Sequence, residues 1–202
     1  MDMARPARQT RDRILAAAYQ RLYQEGFTRV SLDSIAAAAG VTKRTLYYHF
    51  ESKDALVAAV LEAQHDRALE RVRDWASDAP DDPGELIDAL FGKLAAWAGE
   101  AKWTGSGFTR IAMELADLPG HPARRAARQH KAAVEAWLEA RLGAMNVAAP
   151  RETARGITLL TEGCLSLILI HGDTSYAASA AAVAKRLLDE PPFGRSARPV
   201  PG

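Results

Sequence analysis

The stretch that decides the fold is residues 31–53, which read SLDSIAAAAGVTKRTLYYHFESK. This stretch predicts two short helices joined by a tight turn. Ser31 can cap the first helix, because a short side-chain oxygen accepts from the backbone N–H groups that an opening turn leaves free. Gly40 can adopt the left-handed conformation that ends that helix. Thr42 can then cap the second helix.

Each of these helices has an inward and an outward face. The inward stripe of the first helix comprises Leu32, Ile35, Ala36 and Ala39. Val41 is expected to fill the angle between the helices, while Leu46 and Phe50 turn inward from the second. The positions left facing outward are Lys43, Arg44, Tyr47 and Tyr48. A helix of this size with such a face fits the major groove of DNA.

The segment resembles the helix-turn-helix of the TetR (tetracycline-repressor-like) family of transcriptional regulators. The matching residues are VSLDSIA at 30–36, AGVT at 39–42, TLYYHF at 45–50 and SKDAL at 52–56. The upstream residues RILAAA at 13–18, Tyr23 and the turn EGF at 25–27 match the family's first helix. The resemblance covers about residues 10–60, and beyond them only helical character and chain length agree with the family.

The outward face of the second helix carries the candidate DNA contacts. We expect Lys43, Arg44 and Tyr47 to meet base edges, because Lys and Arg donate to guanine and a tyrosine ring can lie on a thymine methyl group. The resemblance implies phosphate or positioning contacts for Thr42, Thr45, Tyr48, His49 and Lys53. Two alternatives stay open: these side chains form only a solvated face, and His49 only caps the C-terminal end of its helix.

Charge is unevenly distributed along the 202 residues. The formal net charge is +1, yet residues 1–53 carry nine basic and five acidic side chains, a balance of +4 that leaves −3 for the rest. A basic end on a mildly acidic remainder is typical of a protein that meets phosphate with one end. Chance clustering of arginines is the alternative.

Apolar periodicity and glycine or proline breaks predict an all-α fold of about nine helices. Outside the helix-turn-helix, the helices are expected at about 10–25, 52–75, 85–99, 108–117, 123–142, 150–170 and 174–188. The predicted organisation is a DNA-binding domain at 1–53, a ligand-binding and dimerisation domain at 54–190, and a disordered tail at 191–202.

Composition argues against several other classes of protein. The single cysteine, Cys164, excludes an intramolecular disulfide and suits a reducing cytoplasm, and no N-terminal signal peptide is visible. The best membrane candidate, residues 157–170, is too short to span and contains Glu162, so we expect it to be part of a buried helix. We therefore expect a cytoplasmic protein without a membrane partner.

Enzyme motifs are weak in this chain. Glu62 and His65 have the spacing found in helical di-iron sites, but that chemistry needs a second such pair. Cys164 has apolar neighbours, which favours a buried structural thiol over a nucleophile. We expect no catalytic residue, no metal and no cofactor. The alternative is a helical enzyme or small-molecule binding protein with a borrowed helix-turn-helix-like module.

Large or soft apolar side chains in the C-terminal half form a candidate ligand pocket. They are Trp97 and the five expected ligand contacts Trp103, Phe108, Met113, Trp137 and Cys164. Polar atoms enter an otherwise apolar helix at Thr158, Thr161, Glu162 and Ser166. Such a mixture suits a pocket for an apolar or amphipathic effector, and it equally suits an ordinary core.

The last two helices are candidates for a subunit interface. Apolar residues surround the helix at 157–170 rather than lining one stripe, and the final helix is rich in alanine. A helix that is apolar all round must be covered on all sides, and small residues let a partner helix approach closely. Packing within the chain is the ordinary alternative to a homodimer through about residues 151–190, which the family resemblance also implies.

Taken together with the resemblance, these features predict a homodimeric repressor. It would bind a palindromic operator in double-stranded DNA and release it when a small molecule enters the C-terminal bundle.

Overall fold

The computed structural model of the chain describes residues 4–77, 79 and 81–189. Within these ranges the chain forms nine α-helices and no strands, which confirms the predicted fold class. The helices are α1 Ala4–Glu25, α2 Leu32–Ala39, α3 Lys43–His49, α4 Lys53–Trp75, α5 Pro83–Ala98, α6 Gly107–Glu114, α7 Pro122–Ala144, α8 Pro150–His171 and α9 Tyr176–Asp189. The predicted tail at 191–202 lies outside the described residues.

Helix α1 begins at Ala4 rather than near Thr10. Pro6 lies in its opening turn, where a missing N–H costs nothing because first-turn donors have no acceptor within the helix. The Thr10 hydroxyl donates to the Pro6 carbonyl at 3.0 Å. The helix ends as predicted at Gly26, which has a φ of 98° and donates its N–H to the Leu22 carbonyl.

The described residues divide into two compact units. Unit 1 consists of residues 4–68 and 106–130, and unit 2 consists of residues 69–105 and 131–189 within the described ranges. This division differs from the predicted boundary after residue 53. The reason is that Phe108, Ile111 and Leu115 are buried in the same core as the first four helices.

The core of unit 1 holds the helix-turn-helix in place. Its largest fully buried side chains are Ile14, Leu22, Ile35, Leu46, Leu56, Leu61 and Ile111. They come from α1, α2, α3, α4 and α6. Burying a side chain of this kind contributes about 1.5–3 kcal/mol, so each short helix is held by the packing of its neighbours.

The core of unit 2 is formed mainly by α5, α8 and α9, which pack against one another. The α9 alanines at 177, 180, 181 and 184 are buried within this unit. Small side chains permit close helix packing, and here they admit α5 and α8 of the same chain. Thus the alternative of packing within the chain holds for these four alanines.

Helix α8 is far more exposed than predicted. Only 39% of its most apolar window is buried, so one chain by itself does not bury this helix as expected. The large apolar side chains left exposed on it are Leu159, Leu167, Leu169 and Ile170. By length and composition alone, this 22-residue helix could also cross a membrane. The expectation of a stretch too short to span considered only residues 157–170, whereas the whole helix runs from Pro150 to a left-handed Gly172.

Candidate nucleic-acid interface

The ends of α2 and α3 are fixed by local hydrogen bonds, as the sequence predicts. The Ser31 hydroxyl oxygen accepts from the Ser34 N–H at 3.1 Å, and the Thr42 hydroxyl oxygen accepts from the Thr45 N–H at 3.1 Å. Gly40 ends α2 with φ 64° and ψ 38°, the left-handed conformation. These caps set the direction in which α3 leaves the turn.

Helix α3 is anchored by its inward side chains. Leu46 is fully buried and Phe50 nearly so, and Val41 packs partly buried against the same core. The guanidinium of Arg11 lies over the Phe50 ring, 5.2 Å from its centroid. With one face held this way, the opposite face of α3 has a defined orientation.

The exposed face of α3 is basic and aromatic. Tyr48 is 81% exposed and Tyr47 48% exposed, while Lys43 and Arg44 are also exposed. The outward orientation predicted for all four is confirmed. Two tyrosines beside two cations offer hydrogen-bond donors, ring faces and positive charge, which are the groups that read bases and phosphates in duplex DNA.

The predicted positioning residues have partners within the protein. The Thr42 and Thr45 hydroxyls lie 2.8 Å apart, and the Lys53 ammonium donates to the Thr28 carbonyl at 2.8 Å. His49 is half-buried, with its ring edge-on to Tyr48 at 5.2 Å between centroids. Lys53 therefore ties the start of α4 to the turn that precedes α2.

Sequence reasoning missed Asp33 as a neighbour of the recognition face. Its carboxylate lies 3.0 Å from the Lys43 ammonium, although the two residues are ten apart in the chain. This hydrogen bond and the charge of Asp33 raise the pKa of Lys43 above its ordinary value. The sequence does show an acidic residue in the first turn of α2. Whether that residue reaches α3 depends on the angle between the two helices.

A second set of contacts that sequence reasoning missed joins α6 to the start of the helix-turn-helix. The Glu114 carboxylate accepts from the Thr28 N–H at 3.1 Å and from the Thr28 hydroxyl at 3.2 Å. Arg110 donates to the Tyr23 carbonyl at 3.0 Å. These residues are more than 80 positions apart in sequence, so no local pattern could have paired them. We call Arg110 and Glu114 the α6 brace.

The five expected ligand contacts do not all lie in one unit. Trp103, Trp137 and Cys164 belong to the core of unit 2. Phe108 belongs to unit 1, where it stacks on His130 at 3.8 Å between ring centroids, and Met113 is 64% exposed. The structure therefore groups three of the five in one core and places the other two elsewhere in the chain.

Trp103 carries the least satisfied polar group in the unit 2 core. Its indole N–H is buried and has no hydrogen-bond partner among the described residues. The ring meets Trp97 edge-on at 5.6 Å, and Trp97 in turn packs against Trp75 at 5.8 Å. A buried donor without an acceptor costs about 1–3 kcal/mol, so an acceptor that reaches it would be favoured.

Three of the four polar groups predicted along α8, those of Thr158, Glu162 and Ser166, have partners within the chain. The hydroxyls of Thr158 and Ser166 donate back to carbonyls of their own helix at 2.9 Å. The Glu162 carboxylate pairs with the Lys131 ammonium from α7. Cys164 is buried, as expected of a structural thiol, and burial raises the pKa of its thiol.

Two further features bear on ligand and metal chemistry. An open pocket of about 540 Å³ in unit 2 is lined by residues such as Asp82, Met145 and Lys185, and by none of the five expected ligand contacts. His65 Nδ1 lies 3.2 Å from His130 Nδ1. Among the described residues, no group of three or more His, Cys, Asp or Glu side chains could hold a metal ion.

Comparison with known proteins decides the family. The family described as "Bacterial regulatory proteins, tetR family" matches residues 14–60, which span the helix-turn-helix. A putative TetR transcriptional regulator from Streptomyces avermitilis, known from its crystal structure, is 30% identical, with 90% of this chain and 97% of that chain covered and a TM-score of 0.78. The chain belongs to the TetR family.

Other TetR-family regulators resemble it over a shorter part of its length. The transcriptional regulator UidR of Escherichia coli K12 is 38% identical over 73 residues, or 36% of this chain and 37% of that protein. TtgR of Pseudomonas putida is 38% identical over 77 residues, or 38% of this chain and 37% of that protein. The chain thus matches little more than a third of the length of these regulators.

A likeness in fold extends over most of the chain. Reduced NemR of E. coli is 24% identical, with 91% of this chain and 100% of that chain covered and a TM-score of 0.76. At this identity the likeness concerns the fold alone. The family match at residues 14–60 contains the whole of α3.

Proposed function

We propose that this TetR-family chain is a sequence-specific DNA-binding transcriptional regulator that acts as a repressor. The observation that carries the proposal is the exposed face of α3, where two cations and two tyrosines project from a helix that is capped and anchored on its other side. The basic balance of residues 1–53 supports it, because phosphate binding needs positive charge at the same end of the protein.

The proposal assigns two roles on DNA. Lys43, Arg44 and Tyr47 contact base edges, where hydrogen bonds to guanine and contacts with thymine methyl groups carry sequence information. Phosphate or positioning contacts come from Thr42, Thr45, Tyr48, His49 and Lys53. Such contacts fix the register of the protein on the duplex without reading sequence.

We further propose that the protein acts as a homodimer through residues 151–190. The exposed aliphatic side chains of α8, including Leu159 at 64% and Ile170 at 71%, support this because a soluble chain rarely leaves such a helix face uncovered. A second copy is favoured over lipid because α8 also carries ion pairs to α7, Glu162 with Lys131 and Arg155 with Glu135. A two-fold dimer would read a palindromic operator whose half-sites lie about 34–36 Å apart or at a multiple of that.

An apolar or amphipathic small molecule is the proposed effector. Of the expected contacts we place it against the three that share a core, Trp103, Trp137 and Cys164, and the buried indole N–H of Trp103 offers it a hydrogen bond. Binding would favour a dimer that no longer matches the operator, and the DNA would be released. The proposal gives the chain no catalytic role and places it in the bacterial cytoplasm, beside the DNA that it would regulate.

Selection of bound fragments from the source genome tests the proposal. The full-length protein is mixed with sheared genomic DNA at about 0.15 M salt, and retained fragments are sequenced and confirmed by gel shift against excess random duplex. We expect a few fragments sharing one palindrome, bound at least about 1,000-fold more tightly than random DNA. Retention of fragments without a shared motif would overturn sequence-specific regulation.

A further inference from the structure

The Lys43 side chain has a fixed neighbour that a free base-reading lysine would not have. Lys43 is the first residue of α3, and its ammonium lies 3.0 Å from the carboxylate of Asp33 in the first turn of α2. Both helix starts are capped, by Thr42 and Ser31 respectively. The pair thus joins two backbone positions that are themselves held in place.

Such a pair changes what the lysine can do. A lysine side chain is a flexible stem with three N–H donors at its tip, and it loses rotamer freedom when it binds. Asp33 accepts one of the three donors and limits where the tip can lie. Two donors remain, which is the number needed to reach O6 and N7 of one guanine.

The same carboxylate has a second effect on DNA binding. Asp33 is exposed beside the recognition face, so its negative charge would lie near the phosphates of any bound duplex. A like charge at this position opposes binding to every sequence equally. Only DNA that presents hydrogen-bond acceptors to the Lys43 ammonium regains the affinity that the charge of Asp33 removes.

We propose that Asp33 is a positioning residue that raises specificity: it holds the Lys43 ammonium for a guanine and lowers the affinity for nonspecific DNA. This inference rests on the proposed function. Asp33 lies outside the recognition helix. It is expected to lower the affinity for all DNA while it raises the discrimination between the operator and other sequences.

The test is Asp33→Asn, which keeps the size of the side chain and removes its charge. Full-length wild type and variant are titrated with the selected operator, with operators substituted one base pair at a time, and with random duplex, at several salt concentrations. We expect random-duplex affinity to rise about two- to fivefold, with a salt slope steeper by at most about 0.9, the value for one charge. Discrimination should fall about three- to tenfold at one base pair only.

Three further proteins make the result specific. Glu62→Gln removes the same charge from an exposed position on α4, and should leave both affinities within about twofold. Lys43→Met identifies the base pair that Lys43 reads, and in that background Asp33→Asn should cause no further loss of discrimination there. Asp33→Ser repeats the charge removal with a residue suited to the first turn of a helix, and guards against a folding defect specific to asparagine.

Several outcomes would overturn the inference. An equal loss of affinity for operator and random duplex would assign Asp33 a merely structural role. If both Asp33 variants discriminate between sequences as well as the wild type, and the wild type prefers its operator, Asp33 has no role in reading bases. If wild type itself binds operator and random DNA alike, the proposed function is overturned, and the inference with it.

Discussion

Helices α3 and α8 both expose large side chains, but the chemistry of the two surfaces differs. The exposed face of α3 is basic and phenolic, whereas the large exposed apolar side chains of α8 are three leucines and an isoleucine. A phenol or an ammonium can be solvated while it waits for a polar partner, and an aliphatic surface gains only when water is excluded. The difference predicts that α3 meets DNA reversibly and that α8 is covered by protein at most times.

The largest expected effect comes from placing charges among the exposed aliphatic side chains of α8. Ile170→Glu combined with Leu159→Glu should dissociate the proposed dimer, because a charge buried at an apolar interface has no partner. Operator affinity should fall by about 100-fold or more, since each monomer engages a single half-site. Light scattering and gel shifts measure the two effects.

A matched control for this pair is Leu118→Glu, which adds a charge at an exposed leucine that belongs to unit 1 and not to α8. This variant should stay dimeric with its operator affinity unchanged. A wild-type protein that is monomeric at micromolar concentration would contradict the interface altogether.

The next effect concerns the polar surface. Arg44→Ala should reduce discrimination between the operator and a substituted operator by about 5- to 150-fold, the value of one good base contact. Lys53→Ala should weaken all sequences alike and lower the salt slope by about 0.9. If Lys53→Ala changes sequence preference while Arg44→Ala does not, the orientation assigned to α3 is wrong.

A third prediction links the DNA surface to the effector site. A ligand found by quenching of tryptophan fluorescence should bind operator-loaded protein more weakly than free protein, by the same factor of about 5 to 150 by which it weakens operator binding. Trp103→Phe keeps a ring and removes the indole N–H, so it should weaken ligands that carry an acceptor more than those that lack one. Equal ligand affinity for free and operator-bound protein would mean that the ligand is not an inducer.

The smallest effect tests how the recognition face is held. Ser31→Ala removes the hydrogen bond to the Ser34 N–H and should lower the free energy of unfolding by about 1 kcal/mol, read from thermal denaturation. Ser106→Ala is the matched control, because Ser106 precedes α6 without making a side-chain cap. Equal losses from both would show that capping is not what Ser31 contributes.

The sequence predicts the helix-turn-helix well because its determinants are local. Ser31, Gly40 and Thr42 act within three or four residues of their own positions, and Leu46 and Phe50 follow helical spacing. The contacts that escaped prediction join distant segments, such as Glu114 with Thr28, 86 residues apart. The angle between α2 and α3 brings Asp33 close to Lys43, and the hydrophobic periodicity of the sequence does not predict that angle.

Candidate ligand contacts were harder to predict for a different reason. Large apolar side chains occupy cores and pockets alike, so composition could not separate Trp103 from Phe108, although they belong to different units. Polar residues in α8 were equally ambiguous, because hydroxyls there bond to their own helix. The side chain whose environment stands out, Trp103, does so through a missing partner that only three-dimensional structure reveals.

The α6 brace has a consequence for protein engineering. A single crossover point after the helix-turn-helix would divide the core of unit 1 between two proteins. Here a graft of residues 1–60 would leave behind Phe108 and Ile111, which complete that core, and Glu114, which holds Thr28. A working chimera of this protein needs residues 106–130 to be exchanged together with the N-terminal segment. This takes three crossover points, one within α4, one before residue 106 and one after residue 130.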